Sequence, residues 1–206
     1  MDKMNFSNQL FKRVVTLRLQ ASHCQGLANT ASAYSKNPEA WKRDAYKYFL
    51  PLQTRWSDND QYGHVNNVIY YSYFDTVVNH YLIQCCGLDT NLKNSSIVGY
   101  MVDTGCTFRK PLSFPDNILA GMKVQRLGQS SVTYQVAIFE RNIPKTGNDV
   151  KSLAEALHSN LSAIQLQNFS NEASAVGHCV HVFVHPETNT SHELPQTMRT
   201  ALEKIL

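Results

Sequence analysis

The sequence contains no run of apolar residues that approaches the roughly 20 residues needed to cross a lipid bilayer, so it predicts no transmembrane helix. It also lacks a strong charge of either sign. The formal net charge is +3 and the basic residues are scattered, which gives no support for nucleic-acid binding. Its five cysteines are an odd number without a CxxC pair, which argues against a disulfide framework and a zinc site.

Two common catalytic motifs are also missing. There is no G-x-S-x-G elbow and no glycine-rich nucleotide loop, so neither a serine-hydrolase triad nor a nucleotide-binding enzyme is supported. Cys179, His181 and His185 would share one face of a strand, but the two histidines would stand about 13 Å apart, too far to bind one metal ion. We therefore expect a protein without a metal or an organic cofactor.

Residues 1–40 differ in character from the rest of the chain. Four basic residues and one acid lie among many Ser, Asn and Gln residues before position 35, and a helix would place the apolar residues Phe6, Leu10, Val14 and Leu17 on one side. This pattern is typical of a mitochondrial presequence. A disordered arm with no targeting role is the alternative, so we expect either a mitochondrial or a cytoplasmic protein.

Residues 41–206 have the pattern of one folded domain of the α+β class. A helical period begins at Asn66 or Asn67, and Gly87 supplies a stop. Strand patterns separated by Pro and Gly follow, with no second long helix before about Asn148. We expect about five antiparallel strands that cover one long helix, with the segment Tyr46 to Trp56 as an edge strand because it contains Pro51.

Two further segments complete this prediction. Residues 142–175 have the character of an insertion in a hairpin, with polar ends and an amphipathic helical pattern in the middle. At the other end, Pro195 precedes a pattern of apolar residues typical of a short closing helix.

The stretch TRWSDNDQYGHVNNVIYYSYFD, residues 54–75, carries the candidate chemistry. Asp60 lies seven residues ahead of Asn67, at a helix start whose free N–H groups and dipole favour negative charge. Gly63 would let the backbone approach a ligand closely. A carboxylate that faces N–H donors is what acyl transfer requires, because the carboxylate can act on a carbonyl while the donors stabilise the oxyanion.

The same stretch resembles the signature of the 4-hydroxybenzoyl-CoA thioesterase family of hotdog-fold proteins. That signature is D-x-D-x-x-G followed by a helix opening with N-x-x-Y-x-x-Y/W-F/L-E/D. The resemblance continues through VDTGCTFRKPLSFPDNILAGMKVQRLGQSSVTYQVAIF, and then through VGHCVHVFVHPET and LPQTMRTAL. It covers Tyr46 to Leu206 apart from the insertion, and the motif from Asp60 to Asp75 is its most specific part.

The resemblance implies a hotdog fold, assembly into a homodimer or homotetramer, and an active site between subunits. It implies hydrolysis of a fatty or aromatic acyl-CoA, with coenzyme A as part of the substrate. In the family the second Asp of D-x-D attacks the thioester or activates water, and this role falls on Asp60. The backbone N–H that polarises the carbonyl falls on Asn67, and the turn glycine falls on Gly63.

Other residues near the motif are candidates with an alternative duty. His64 either orients the substrate or completes the turn, and Asn66 either contacts the substrate or only caps the helix. Asp58 is expected to hold the loop by hydrogen bonds. Arg109 and Lys110, at the end of a strand, are candidates for binding a coenzyme A phosphate.

Two rival functions stay open. A hotdog protein that binds acyl-CoA without catalysis, or acts as a scaffold, is consistent with the insertion, which interrupts the sheet where the family has a short turn. A hotdog enoyl-CoA hydratase or dehydratase would need an Asp/His pair, for which His64 is the motif histidine.

Overall fold

The structure is a computed structural model that describes residues 37–91, 95–142 and 166–206. Within these ranges five strands form one antiparallel sheet in the order β1-β3-β4-β5-β2. The strands are β1 (Tyr48–Gln53), β2 (Val98–Phe108), β3 (Asn117–Leu127), β4 (Ser131–Phe139) and β5 (Ala175–Val184). The predicted α+β class and the antiparallel sheet of five strands are confirmed, and Pro51 lies on an edge strand as expected.

Helix α1, Asn67–Cys86, packs on one face of this sheet and contacts all five strands. Asn66 caps its first turn, because the Asn66 side chain accepts a hydrogen bond from the N–H of Val68. Gly87 ends it in the left-handed conformation, with φ of 69°, which a glycine adopts without a Cβ penalty. Both boundaries are those that the sequence predicted.

The core between α1 and the sheet is built from the apolar stripe of the helix. Tyr70, Phe74, Val77, Val78 and Tyr81 are all buried there, and they meet alternate residues of the strands. The short helix α2, Gln196–Glu203, closes one end of this core after Pro195. The hydroxyl of Tyr81 donates a 2.6 Å hydrogen bond to the carbonyl of Ala201, which joins the two helices.

The opposite face of the sheet is also partly covered. Two 3-10 helices, Pro38–Trp41 and Arg43–Ala45, lie there beside residues 166–174. Their buried side chains include Trp41 and Phe169, which pack with Phe139 and Val176 of the sheet. Residues of the chain itself therefore form a second layer on this face of the sheet.

The predicted domain boundaries, 41–206 with an insertion at 142–175, stay predictions. Among the described residues, the 3-10 helix Pro38–Trp41 packs against the sheet and Trp41 is buried there. Residues 169 to 175, at the second end of the predicted insertion, also pack with the sheet or belong to it. The helices predicted around residues 6–17 and 150–164 lie outside the described residues.

Candidate active site

The loop between β1 and α1 is held by a buried carboxylate. Asp58, only 1% exposed, accepts hydrogen bonds from the backbone N–H of Arg55 at 2.7 Å and from its Nε at 3.0 Å. Tyr73 of α1 donates its hydroxyl to the same carboxylate at 2.7 Å. Burial, and then the bond to this carboxylate, raise the pKa of the Tyr73 phenol. Asp58 therefore fastens the loop to the helix, which is the structural duty expected of it.

Two residues later the chain turns tightly around Asp60. Its Oδ1 accepts hydrogen bonds from the N–H of Tyr62 at 2.8 Å and from the N–H of His64 at 3.3 Å. The turn also needs Gly63, which has φ of +78°, a value that favours glycine. Among the described residues no donor bonds to Oδ2, so this oxygen of Asp60 can act on a ligand.

The first turn of α1 supplies N–H donors beside this loop. The N–H of Asn67 has no hydrogen-bond acceptor among the described residues, whereas the N–H of Val68 is capped by Asn66. The positive end of the helix dipole adds to its attraction for negative charge. Asn66 is explained by its capping bond, and the N–H of Asn66 donates to the carbonyl of Asp58 at 2.8 Å.

A cavity of about 350 Å³ brings most of the predicted residues together. Its polar lining consists of Asp60, His64, Asn67, Arg109 and Lys110. The predicted residues Gly63 and Asn66 do not line this cavity, because one forms the turn and the other caps the helix.

An apolar wall completes the cavity. It is formed by Val65, Tyr70, Phe108 and Pro111. The rings of Tyr70 and Phe108 meet edge to face, with centroids 4.9 Å apart. Burial raises the pKa of Tyr70 to about 12, so its phenol stays protonated at neutral pH. A carboxylate, N–H donors and an apolar wall in one cavity suit an acyl group whose carbonyl carbon is attacked.

The two basic residues of the cavity are fixed in different ways. The backbone N–H groups of Arg109 and Lys110 both donate to the carbonyl of Ser174, at 2.8 and 3.1 Å. Lys110 forms an ion pair with Glu140 at 2.8 Å. The guanidinium of Arg109 stacks on the ring of Trp41, 3.6 Å from its centroid. Trp41 was not among the predicted site residues, because its only signal in the sequence is an aromatic residue next to a segment that has the character of a tail.

The histidines outside the motif do not join this cavity. His181 is 4% exposed and lies between the rings of Tyr134 and Phe183. Burial lowers its pKa to about 4. Among the described residues no three His, Cys, Asp or Glu side chains form a group that could hold a metal ion. Over the same residues, no helix has the length and apolar character of a membrane span.

The profile of the thioesterase superfamily matches residues 62–145. A crystal structure of the PA5185 protein from Pseudomonas aeruginosa strain PAO1 is 38% identical, with a TM-score of 0.63; the match covers 80% of this chain and 94% of that one. No curated protein sequence matches the chain.

More distant structures share the fold. A 1,4-dihydroxy-2-naphthoyl-CoA thioesterase from Synechocystis is 14% identical, with a TM-score of 0.57 over 75% of this chain and 94% of that one. The gentisyl-coenzyme A thioesterase BH1999 is 19% identical, with a TM-score of 0.54 over 75% and 99% of the two chains. At these identities the likeness shows the hotdog fold alone.

Proposed function

We propose that this chain, which belongs to the thioesterase superfamily, hydrolyses the thioester bond of an acyl-coenzyme A to give a free acid and coenzyme A. The observation that carries the proposal is the shared cavity of Asp60 and the Asn67 N–H, where a carboxylate oxygen and a backbone donor are both without a partner among the described residues. The narrower assignment to the 4-hydroxybenzoyl-CoA thioesterase family is part of this proposal.

In the proposed reaction the free oxygen of Asp60 acts on the thioester carbonyl. It either attacks the carbonyl carbon or removes a proton from a water molecule that attacks instead. Negative charge then develops on the carbonyl oxygen, where the N–H of Asn67 and the helix dipole stabilise it. Cleavage of the carbon–sulfur bond releases the thiol of coenzyme A, and water supplies the oxygen of the acid. Neither step calls for a metal or an organic cofactor.

The other cavity residues would bind the substrate. Arg109 and Lys110 provide positive charge for the phosphates of coenzyme A. His64 lines the cavity and would orient the acyl group, while Gly63 and Asn66 would act through the shape of the loop and the helix cap. Two of the distant structures are thioesterases of aromatic acyl-CoAs, so we include aromatic acyl groups among the substrates to be tested.

We further propose that two copies join through the edge of β2. This strand has 11 residues and exposes Met101, Val102 and Phe108. At the opposite edge, β1 has 6 residues and Pro51 removes one N–H donor. The edge of β2 is therefore better suited to pairing, and a partner there would complete a site between subunits. A homotetramer could then form by association of two such dimers.

The decisive experiment is a measurement of free thiol release from a panel of short, medium, long and aromatic acyl-CoAs. We expect turnover by the unaltered protein and a loss of at least about 100-fold with Asp60→Asn, which removes the charge but keeps the shape. Asp89→Asn, an exposed carboxylate outside the cavity, serves as the matched control and should retain activity. Melting curves establish that both variants are folded.

Other outcomes would favour the rival functions. Binding of acyl-CoA without thiol release from any substrate would identify a protein that binds without catalysis. Loss of enoyl-CoA absorbance without thiol release would identify a hydratase, in which Asp60 and His64 of the same cavity would be the acid and base. Near-normal turnover by Asp60→Asn would remove Asp60 from the mechanism.

Targeting to mitochondria by residues 1–40 is a separate proposal from the sequence. It is tested by fusing these residues to a fluorescent protein and observing whether the fusion enters mitochondria. A fusion that remains in the cytoplasm would contradict it.

A further inference from the structure

Arg109 connects the cavity to an aromatic ring outside it. Arg109 is one of the residues that line the cavity, and its guanidinium carbon lies over the ring of Trp41, 3.6 Å from the ring centroid. Stacking uses the face of the guanidinium and leaves the N–H donors along its edge available. Those donors have the spacing that suits two oxygens of a phosphate group.

Trp41 is itself held firmly, although it belongs to the segment before β1. Its side chain is 2% exposed, and its carbonyl accepts a 2.9 Å hydrogen bond from the N–H of Ala173. The neighbouring Arg43 donates to the carbonyls of Leu166 and Phe169. The ring under Arg109 is therefore a fixed surface, and a side chain stacked on it loses less freedom when it binds a ligand.

Two lysines near Arg109 are each paired with a carboxylate, which leaves the charge of Arg109 to bind a ligand. Lys110 is paired with Glu140 at 2.8 Å, and Lys42 is paired with Glu172 at 2.7 Å. In the described parts of the chain Arg109 forms no direct ion pair with a carboxylate. The bond and charge of Lys42, and to a smaller degree the charge of Arg109, lower the pKa of Glu172, so the direct partner of this carboxylate is Lys42. An incoming phosphate would therefore meet Arg109 without first breaking a direct ion pair.

We propose that Trp41 is a positioning residue that determines the preference for the thiol half of the substrate. By holding Arg109 ready for a phosphate, it favours thioesters of coenzyme A over thioesters of small uncharged thiols. This inference rests on the proposed thioesterase function. It assigns a role in substrate recognition to residues 38–45, the segment between the predicted tail and β1.

The test compares two substrates that share one acyl group, its coenzyme A thioester and its N-acetylcysteamine thioester. Trp41→Leu keeps an apolar side chain but removes the ring face. We expect it to raise KM for the coenzyme A thioester roughly three- to tenfold, with little change in kcat, and to leave kcat/KM for the short thioester unchanged. Phe169→Leu removes another aromatic ring from the same buried cluster and is the matched control.

A double-mutant cycle separates positioning from general damage. In a background of Arg109→Gln, the substitution Trp41→Leu should have no further effect on KM, because Trp41 acts through Arg109. Equal losses for both substrates, no change for either, or full additivity of the two substitutions would each overturn the inference. Phe169→Leu with the same substrate-selective effect would overturn it as well.

Binding of coenzyme A itself, measured by calorimetry, keeps this inference distinct from the proposed function. If the protein hydrolyses no thioester but binds coenzyme A in a manner weakened by Trp41→Leu and Arg109→Gln, the thioesterase proposal falls and the role of Trp41 stands. If the protein hydrolyses thioesters while Trp41→Leu binds coenzyme A normally, the thioesterase proposal stands and the role of Trp41 falls. If it neither binds nor hydrolyses, both fail.

Discussion

The hydroxyl of Tyr73 lies 2.7 Å from Oδ2 of Asp58 and donates a hydrogen bond to it. This bond connects α1, whose N-terminus holds the candidate oxyanion donor, to the loop that carries Asp60. Both groups are almost completely buried. A charged hydrogen bond at such a depth contributes more to stability than an exposed one, so the relative position of the helix and the loop that carries Asp60 depends on it.

Tyr73→Phe should therefore weaken both the fold and the reaction. We expect the free energy of unfolding to fall by about 1–3 kcal/mol, because the carboxylate of Asp58 loses one donor without access to water. We also expect kcat for thiol release to fall, since the Asp60 loop is less firmly placed. Chemical denaturation and steady-state kinetics measure the two effects. Tyr71→Phe is the control, because the Tyr71 hydroxyl makes no hydrogen bond within the described residues; an equal effect of the two substitutions would contradict the role of the Asp58 bond.

The buried His181 should make stability depend on pH. Its pKa is about 4 in the folded chain, below the ordinary value of 6.5. As the pH falls below 6.5, the unfolded chain therefore binds a proton before the folded chain does. Stability is complete above 6.5 and is lost progressively down to pH 4, by on the order of 3 kcal/mol.

Denaturation curves at several pH values between 7.5 and 4 check this expectation. The variant His181→Leu is neutral at every pH, so the fall in its stability over the same range should be smaller by that amount. Carboxylates titrate in both proteins and contribute the same background. Parallel pH profiles for the two proteins would show that His181 is not the group responsible.

Close packing of α1 on the sheet depends on Gly177 of β5. A Cβ at this position would collide with the ring of Phe74 and with the backbone carbonyl of Gly105, and a backbone atom cannot rotate away. We expect Gly177→Ala to lower the free energy of unfolding by about 2–3 kcal/mol. Gly128→Ala is the milder comparison, because its nearest neighbour is the side-chain oxygen of Ser131. Thermal denaturation measures both, and equal stability of the two variants would show that the sheet shifts to accept the methyl group.

The proposed pairing of β2 edges predicts a change in assembly. Val102→Lys places a charge on the exposed edge, where two copies of the strand would meet, and should shift the protein from dimer to monomer. Gln125→Lys, exposed on the interior strand β3, is the matched control. Light scattering after size-exclusion chromatography gives the masses. A Val102→Lys protein with the mass of the unaltered one would move the interface elsewhere.

Much of the fold could be predicted because its signals are local. The caps Asn66 and Gly87 act within one turn of the helix, and the strand β3 coincides with the run NILAGMKVQRL. The resemblance added the roles of Asp60 and Asn67, and the structure brings both to one cavity. From the sequence alone, the secondary structure of Asp60 and Asn67 and their order along the chain can therefore be predicted.

The rest could not be predicted because it depends on contacts between distant residues. Trp41 and Arg109 stack although neither lies in the motif, and Phe169 packs on the sheet from a segment that has the composition of a loop. His181 is a polar residue between two valines, and this alternation of polar and apolar residues is typical of a strand whose polar side chains face solvent. In the structure, however, the side chain of His181 faces the core. Its burial depends on the face of the sheet that α1 covers, which the period of one strand does not determine.

The ion pair of Lys42 with Glu172 joins residues 130 positions apart, and Arg43 reaches Phe169 over 126. During translation, the segment around Trp41 leaves the ribosome early but cannot complete its contacts until residues near 172 have been made. β2 likewise waits for β5, its partner in the sheet. Most of the polypeptide must therefore be synthesised before the nascent chain can close its sheet, and until then the aromatic side chains of the early segment remain available to chaperones.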